Sequence, residues 1–486
     1  MFSNKYIKIR DLSIFNYLFS LSFLYILPII LANRYYIDDM GRVLHGYTHW
    51  KRDGRPLADI VMQALNFGKP ILDLSPIIQI LSVFTLSVSL TLYAKRYFKN
   101  GSVFSISMGL FLFVGNPFFI QNLSFKYDSL TMSLSLCALI FCFSFDLLTL
   151  YTWFMVSFLI VVSLSLYQAS IGLFFILSVI ELIQKKINDR EFNTVAFSCL
   201  FFRFVQFVTG YMFYYFVVLR SCNLSDYGGQ HSQVIPFDRN GIHILIKNIE
   251  SYFFVFKNSF IGFPTIFILF YAFVIFLFIV KYAKFENFYL STCVVLSPLL
   301  CFLFSFIHLS ILRDPIFLER VFLSFCGFML FIYFCVYNLF KKYSAYILFP
   351  LVSFCFFLSY SYGNTSAAQN RIDTLIASSI SYDQAHYNGT FKTLSIVGVM
   401  PQAKQRELIV ERLPIMKGLV PIYINNSLYW GGELLNSFLV VGEPVNADQN
   451  DFDFMIKNKP FLSSRDYDLY ANKDKMIINF KNKAPD

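Results

Sequence analysis

Between Arg34 and Asn66 the sequence reads RYYIDDMGRVLHGYTHWKRDGRPLADIVMQALN, which gathers Asp38, Asp39, Arg42, His45, His49, Trp50 and Arg55 into one short stretch. Two adjacent carboxylates can divide their labour: one accepts a proton while the other orients a partner or holds a cation. Arginine suits a phosphate, because its planar fork pairs two oxygens at once. A helix over 38–50 would set Asp38, Arg42, His45 and His49 on one face through i, i+3 and i+4 spacing. The plain alternative is a solvated face beside a membrane, with its charges paired locally. Zinc on His45 and His49 with Asp38 as third ligand is a weak reading, since no HExxH is present. Mg²⁺ or Mn²⁺ on Asp38 and Asp39, beside a phosphate, is the better metal expectation; no other cofactor is implied.

Other polar groups interrupt apolar sequence. SFKYDSL (124–130) supplies Lys126 and Asp128, LSLYQAS (164–170) supplies Tyr167 and Gln168, and LRDPIFLERV (312–321) supplies Arg313, Asp314, Glu319 and Arg320. Each alone reads as interfacial anchoring or salt bridging, yet polar groups near membrane depth are costly and tend to mark function. No serine–histidine–acid elbow, glycine-rich phosphate loop or dinucleotide fingerprint occurs.

The elements that must position these groups are oily. Of 486 residues, 56% are apolar, 20% aromatic and 14% charged, where a soluble domain carries about 25% charged residues. Apolar runs fall near 12–33, 74–94, 102–121, 129–146, 150–167, 170–184, 196–219, 259–280, 288–308, 318–340 and 344–361. A spanning helix needs about 20 mainly apolar residues. The short pair around Tyr167 and Gln168 is either two spans or a re-entrant hairpin, so the expectation is nine to eleven spans with the same sidedness. Fold class is thus an α-helical polytopic membrane protein.

Basic residues alternate with these runs: Lys5, Lys8 and Arg10; Lys95, Arg96 and Lys99; Lys185, Lys186 and Arg190; Lys281 and Lys284; Lys341 and Lys342. The positive-inside rule then sets the N-terminus in the cytoplasm. Segments 34–73, 122–128, 220–258, 309–317 and everything after about Ser361 fall on the opposite side. The net charge of +10 is largely this topology signal, and no basic stripe with interleaved aromatics points to nucleic acid. Eight of nine cysteines lie in apolar runs, without a CxxC pattern, and behave as small apolar side chains. The first run reads as an uncleaved signal anchor.

The expected domains are a transmembrane part, 1–362, and a small water-exposed α/β tail, 363–486. In the tail, apolar runs shrink to strand length at LSIVGVM (394–400), LVPIYI (419–424), FLVVG (438–442) and KMIINF (475–480).

DDMGR (38–42), GYTHW (46–50), GRPLADI (54–60) and LDLSPIIQIL (72–81), followed by KYDSL (126–130) and YQAS (167–170), form an ordered series. It resembles the serotype-converting O-antigen glucosyltransferases encoded by temperate phages of enteric bacteria. Within them it is most similar to the type II antigen glucosyltransferases, also in overall length. The resemblance covers the N-terminal half; in the tail it rests on layout. It implies a GT-C-like membrane glycosyltransferase of the bacterial inner membrane. Such an enzyme would move glucose from undecaprenyl-phosphate-glucose to a lipopolysaccharide O-antigen sugar on the periplasmic face, with inversion. A donor flippase and a donor-synthesising transferase would accompany it. The resemblance puts the catalytic acid in the first outer loop, at Asp38 or Asp39. Arg42, Arg55, Lys126, Arg313 and Arg320 are nominated for the departing lipid phosphate. Asp128, His49, Trp50, Tyr167 and Gln168 are the further candidates for binding substrate.

Two other classes compete. An O-antigen polymerase would leave a shortened but unmodified polymer on deletion. A polysaccharide or lipid transporter would favour charges within spans and internal repeats, and neither stands out.

Overall fold

The computed structural model describes residues 9–144, 149–188, 193–283, 288–387, 389–426 and 429–481. Lys5, Lys8, Arg190 and Lys284 of the topology argument lie outside them. The first half holds α1 (Ile9–Ala32), α2 (Asp39–His45), α3 (Pro56–Leu65), α4 (Ile77–Tyr97), α5 (Val103–Val114), α6 (Phe119–Ser124), α7 (Ser129–Cys142), α8 (Leu150–Leu166), α9 (Gly172–Asn188) and α10 (Asn193–Phe213). Then come α11 (Asp226–Ser232), α12 (Arg239–Ser259), α13 (Thr265–Tyr282), α14 (Phe288–Leu303), α15 (Phe325–Phe340) and α16 (Ser344–Ala385).

Each of the eleven apolar runs carries one of these helices. In hydrocarbon a chain segment must satisfy its own backbone, and only a helix does so within one segment. Among the described residues, five stretches are long and apolar enough to cross a membrane: Ile9–Ala32, Ile77–Tyr97, Ser198–Ser221, Thr265–Tyr282 and Glu319–Ala385. Shorter apolar helices include α5, α7 and α8. The chain is a polytopic helical membrane protein with a small C-terminal α/β region.

The run 102–121 shows why a helix stops short. Gly115, Asn116 and Pro117 interrupt it, and a proline has no N–H to offer the preceding turn. Buried Asn116 donates to the Phe113 carbonyl at 2.9 Å and accepts the Phe119 N–H at 3.0 Å, so α6 starts afresh. Helices α5, α7 and α15 are buried almost throughout, with α1, α4 and α16 packed around them. Where α16 crosses α1 the approach is close: a Cβ on Gly363 would lie 2.5 Å from the Pro28 carbonyl.

Helix α16 joins two cores. At 42 residues it is about 63 Å long. Leu348, Val352, Cys355, Leu358 and Tyr362 belong to the large core, whereas Ile376, Ala377 and Ile380 belong to the small one. That second core is built on a five-stranded sheet of β1 (Thr393–Val397), β2 (Glu443–Val445), β3 (Leu462–Ser463), β4 (Tyr467–Asn472) and β5 (Lys475–Phe480), ordered β2-β1-β5-β4-β3. β1 pairs in parallel with β2 and β5, while β4 runs antiparallel to β3 and β5. Helices α17 (Lys404–Arg412), α18 (Ile415–Leu419), α19 (Tyr429–Ser437) and α20 (Gln449–Lys457) complete it.

Two expected strands are absent. The first residue of LVPIYI ends α18 and the rest runs on as irregular chain; its Pro421 carbonyl accepts Arg34 Nη2 at 2.7 Å, and Val420, Tyr423 and Ile424 are buried. FLVVG turns through Leu439 at φ 65°. The Gln384 side chain takes both backbone groups of Val441, at 2.7 and 2.8 Å, in place of a strand partner.

Candidate active site

α1 ends at Ala32, and a short turn leads into α2. The Asp39 carboxylate is fully buried there and accepts the backbone N–H groups of Tyr36 (3.2 Å), Lys126 (2.8 Å) and Tyr127 (3.4 Å). It ties the chain after α1 to the chain before α7. Burial pushes its pKa up to about 8, against the opposing pull of Arg42 and the Lys126 N–H.

Asp38 is different. It occupies the N-cap of α2, yet its side chain caps nothing, although an aspartate there ordinarily accepts an N–H of the first turn. It is half-buried, and its side chain makes no hydrogen bond or ion pair among the described residues. Arg42, Tyr47, Tyr227 and Arg320 all lie within its electrostatic reach. Of the two adjacent acids, Asp38 alone keeps its oxygens available.

The single face expected over 38–50 does not form. α2 stops at His45 because Gly46 enters the left-handed region at φ 62° and returns its N–H to the Arg42 carbonyl at 2.8 Å. His49 stands beyond it, exposed, stacked on Tyr47 at 4.6 Å. Burial and the neighbouring Arg52 lower its pKa. His45 turns to Glu433 at 3.3 Å. Among the described residues no group of three His, Cys, Asp or Glu is placed for a metal ion. Both Asp39 oxygens are committed to N–H groups, which leaves a cation only Asp38 of the expected pair.

Asp128 is the hub beneath. It is buried and accepts a charged hydrogen bond from Arg42 and the Trp50 indole N–H at 2.5 Å, with Arg55 at 3.7 Å. The Arg42 guanidinium also covers the Trp50 ring at 4.4 Å. Burial opposes the charge of Arg42, but Asp128, Asp38 and Asp39 outweigh it, so the guanidinium is held firmly protonated. Arg42, Trp50 and Asp128 form one locked unit. Arg55 also pairs with Asp53 at 3.1 Å and lies over the Tyr167 ring at 5.6 Å, leaving it partly engaged.

Three other candidates have framework contacts. Buried Lys126 reaches Asn33 (2.7 Å) and Asp73 (3.3 Å) and sits over the Tyr35 ring. Gln168 donates to the Asp53 carbonyl and to Tyr214 Oη, both at 3.0 Å, and so braces the turn before Arg55. Arg313 is exposed and turns to Gln233 at 3.4 Å, bound to the 233–235 segment rather than the acids.

Arg320 is placed otherwise. Its guanidinium makes no hydrogen bond or ion pair among the described residues; it covers the Phe125 ring at 5.7 Å and interacts electrostatically with Asp38, Tyr167 and Tyr227. Pairwise interactions thus link Asp38 to Arg320, Arg320 to Tyr167, and Arg55 to both Tyr167 and the locked unit on Asp128. Sequence reading missed Tyr227, a half-exposed side chain on α11 within electrostatic reach of Asp38 and Arg320, because nothing in a polar loop marks one tyrosine as standing near the acids.

The C-terminal region closes the site from another side. Arg34 pairs with buried Asp373 at 2.7 Å and lies over the Tyr423 ring at 4.2 Å. Tyr36 Oη donates to the Gly418 carbonyl at 3.1 Å. A Cβ on Gly41, one turn along α2 from Asp38, would stand 2.7 Å from Tyr47 Oη and 3.3 Å from the Trp430 ring. This packing would tolerate no side chain at that position without a shift.

The sequence model of the glucosyl transferase GtrII family matches residues 27–337, and the chain belongs to that family. It is 28% identical over 435 residues to an uncharacterized 55.3 kDa protein in the gtrB 5′ region of Salmonella phage P22, covering 85% of this chain and 88% of that protein. No solved structure matches.

Proposed function

We propose that this GtrII-family glycosyltransferase takes glucose from undecaprenyl-phosphate-glucose and places it on a sugar of the lipopolysaccharide O-antigen, at the periplasmic face of the bacterial inner membrane. Serotype conversion is the consequence. The observation that carries the reading is the pairing of roles between Asp38, a half-buried carboxylate, and Arg320, a guanidinium, neither of whose side chains has an ion-pair partner among the described residues.

In the reaction Asp38 accepts the proton of an acceptor hydroxyl while that oxygen forms a bond to the anomeric carbon. The bond from that carbon to the phosphate oxygen breaks on the opposite face, and undecaprenyl phosphate leaves with the electron pair. The configuration is inverted. Charge that gathers on the departing phosphate is met by Arg320, with Arg55 beside it. Arg42, Trp50 and Asp128 position the two acids. Distribution of Lys95, Arg96, Lys185, Lys186, Lys341 and Lys342 supports the orientation. A flippase and a donor-synthesising transferase would supply the lipid donor, and the C-terminal region would meet the polysaccharide.

The test is reconstitution. Purified protein in lipid vesicles, given polyprenyl-phosphate-[14C]glucose and O-antigen, should label the polymer; UDP-glucose should not replace the lipid donor. Labelling from UDP-glucose, or none from the lipid donor, would overturn the reading.

A further inference from the structure

Helix α12 carries an apolar stripe that the described chain leaves largely uncovered. Ile242, Ile246, Ile249 and Phe253 follow one another at i, i+4, i+7 and i+11, which is one face of a helix. Ile242, Ile246 and Phe253 are 60%, 50% and 55% exposed. Beside the stripe runs a second exposed row of His243, Lys247, Glu250 and Lys257. The inward side packs on protein: Tyr252 and Phe256 sit against Phe322 of the large core, Asn248 donates to the carbonyls of Ser310 (3.1 Å) and Leu312 (2.8 Å), and Tyr252 Oη to that of Ile316 (3.1 Å). Such a helix is anchored to protein on one side and still presents a second apolar stripe, with charge beside it, outward.

The neighbouring element says what covers it. After the break at Gly262 (φ 81°) the chain enters α13, long and apolar enough to cross a membrane, with Ile266, Leu269, Phe273 and Phe276 exposed. Lipid that surrounds α13 reaches the end from which α12 departs.

We propose that α12 lies flat in the membrane interface, with Ile242, Ile246, Ile249 and Phe253 in the acyl boundary and Lys247 and Lys257 at the headgroups. A helix with one strongly apolar face, a charged flank and modest overall hydrophobicity behaves so, its apolar face sinking about 5–10 Å below the headgroups. Lysine stems cover apolar surface while the ammonium reaches water. Because Asn248 and Tyr252 grip the 310–316 segment, the bilayer surface sets the height of the chain that runs on to Arg320. This last consequence rests on the glycosyltransferase reading; the depth of α12 does not.

The experiment is depth-dependent fluorescence quenching in phosphatidylcholine nanodiscs. Ile246→Trp is compared with the parent protein, whose three tryptophans give the background. Added emission should be quenched strongly by 6,7-dibromo lipid, less by 11,12-dibromo lipid, and little by iodide. Quenching by iodide and not by bromolipid would place the stripe in water and overturn the proposal. Protection from both quenchers would mean a protein cover, such as a second copy, and would overturn it equally. No outcome depends on catalysis, so failure here is distinct from failure of the proposed function.

Discussion

The Asp39 carboxylate accepts the Lys126 backbone N–H at 2.8 Å, joining the end of the first helix to a segment 87 residues further along the chain. Asp39→Asn keeps one oxygen to accept a backbone N–H, whereas Asp39→Ala leaves all three N–H groups buried and unmatched. An unmatched buried donor costs about 1–3 kcal/mol. Unfolding temperature in detergent should fall from wild type to Asn to Ala. Equal values for Asn and Ala would contradict the role given to those bonds.

The same carboxyl makes stability depend on pH. Burial raises its pKa from the ordinary 3.8 to about 8, so the folded chain keeps a proton that the unfolded chain gives up. Stability from this group is full below about pH 4 and is lost as pH rises through about 8. Asp39→Asn cannot ionise. The unfolding temperature of this variant relative to wild type should therefore improve between pH 5 and 8.5, measured by thermal unfolding across that range. A constant difference would contradict the assignment.

Arg42 and Arg320 are the same residue type with opposite predicted failures. Arg42→Ala strands buried Asp128, and breaking a buried pair costs about 3–5 kcal/mol, so thermal stability should drop sharply. Arg320→Ala breaks no ion pair among the described residues and should leave the unfolding temperature within a few degrees of wild type. Its glucose transfer should fall about 10²-fold or more, as when one charge-stabilising group is removed. Full transfer by Arg320→Ala would remove it from the reaction.

Arg34 tests how the C-terminal region is held. Arg34→Ala leaves Asp373 buried without its cation and uncovers the Tyr423 ring. Limited proteolysis should then cut within 386–426 at a protease concentration that spares wild type. Arg34→Lys should give partial protection, because an ammonium lacks the fork that reaches Asp373 and the Pro421 carbonyl together.

Much of this molecule is legible before folding. Hydrocarbon forces helix wherever the chain stays apolar for long enough, so all eleven runs could be read directly. The site was legible as a neighbourhood but not residue by residue. Asp38 and Asp39 are adjacent and identical in type; only the return of Lys126 and Tyr127 from a distant segment buries one and leaves the other open. Lys126 looked like a free cation because Asn33 and Asp73, which hold it, lie far away in sequence. FLVVG and LVPIYI had strand composition, but Gln384 and Arg34 claimed their backbone groups from other elements. β4 went unread because its YDLYAN pattern mixes polar with aromatic residues and declares itself only beside β5.

The central claim is that Asp38 is the base of a glucosyl transfer to O-antigen. Mass spectrometry and linkage analysis of O-antigen decide it, from cells carrying wild-type protein, Asp38→Asn or Asp39→Asn at equal membrane levels. Wild type should add one glucose per repeating unit, Asp39→Asn should still add it, and Asp38→Asn should leave the polymer unmodified. Full glucosylation by Asp38→Asn would contradict the account.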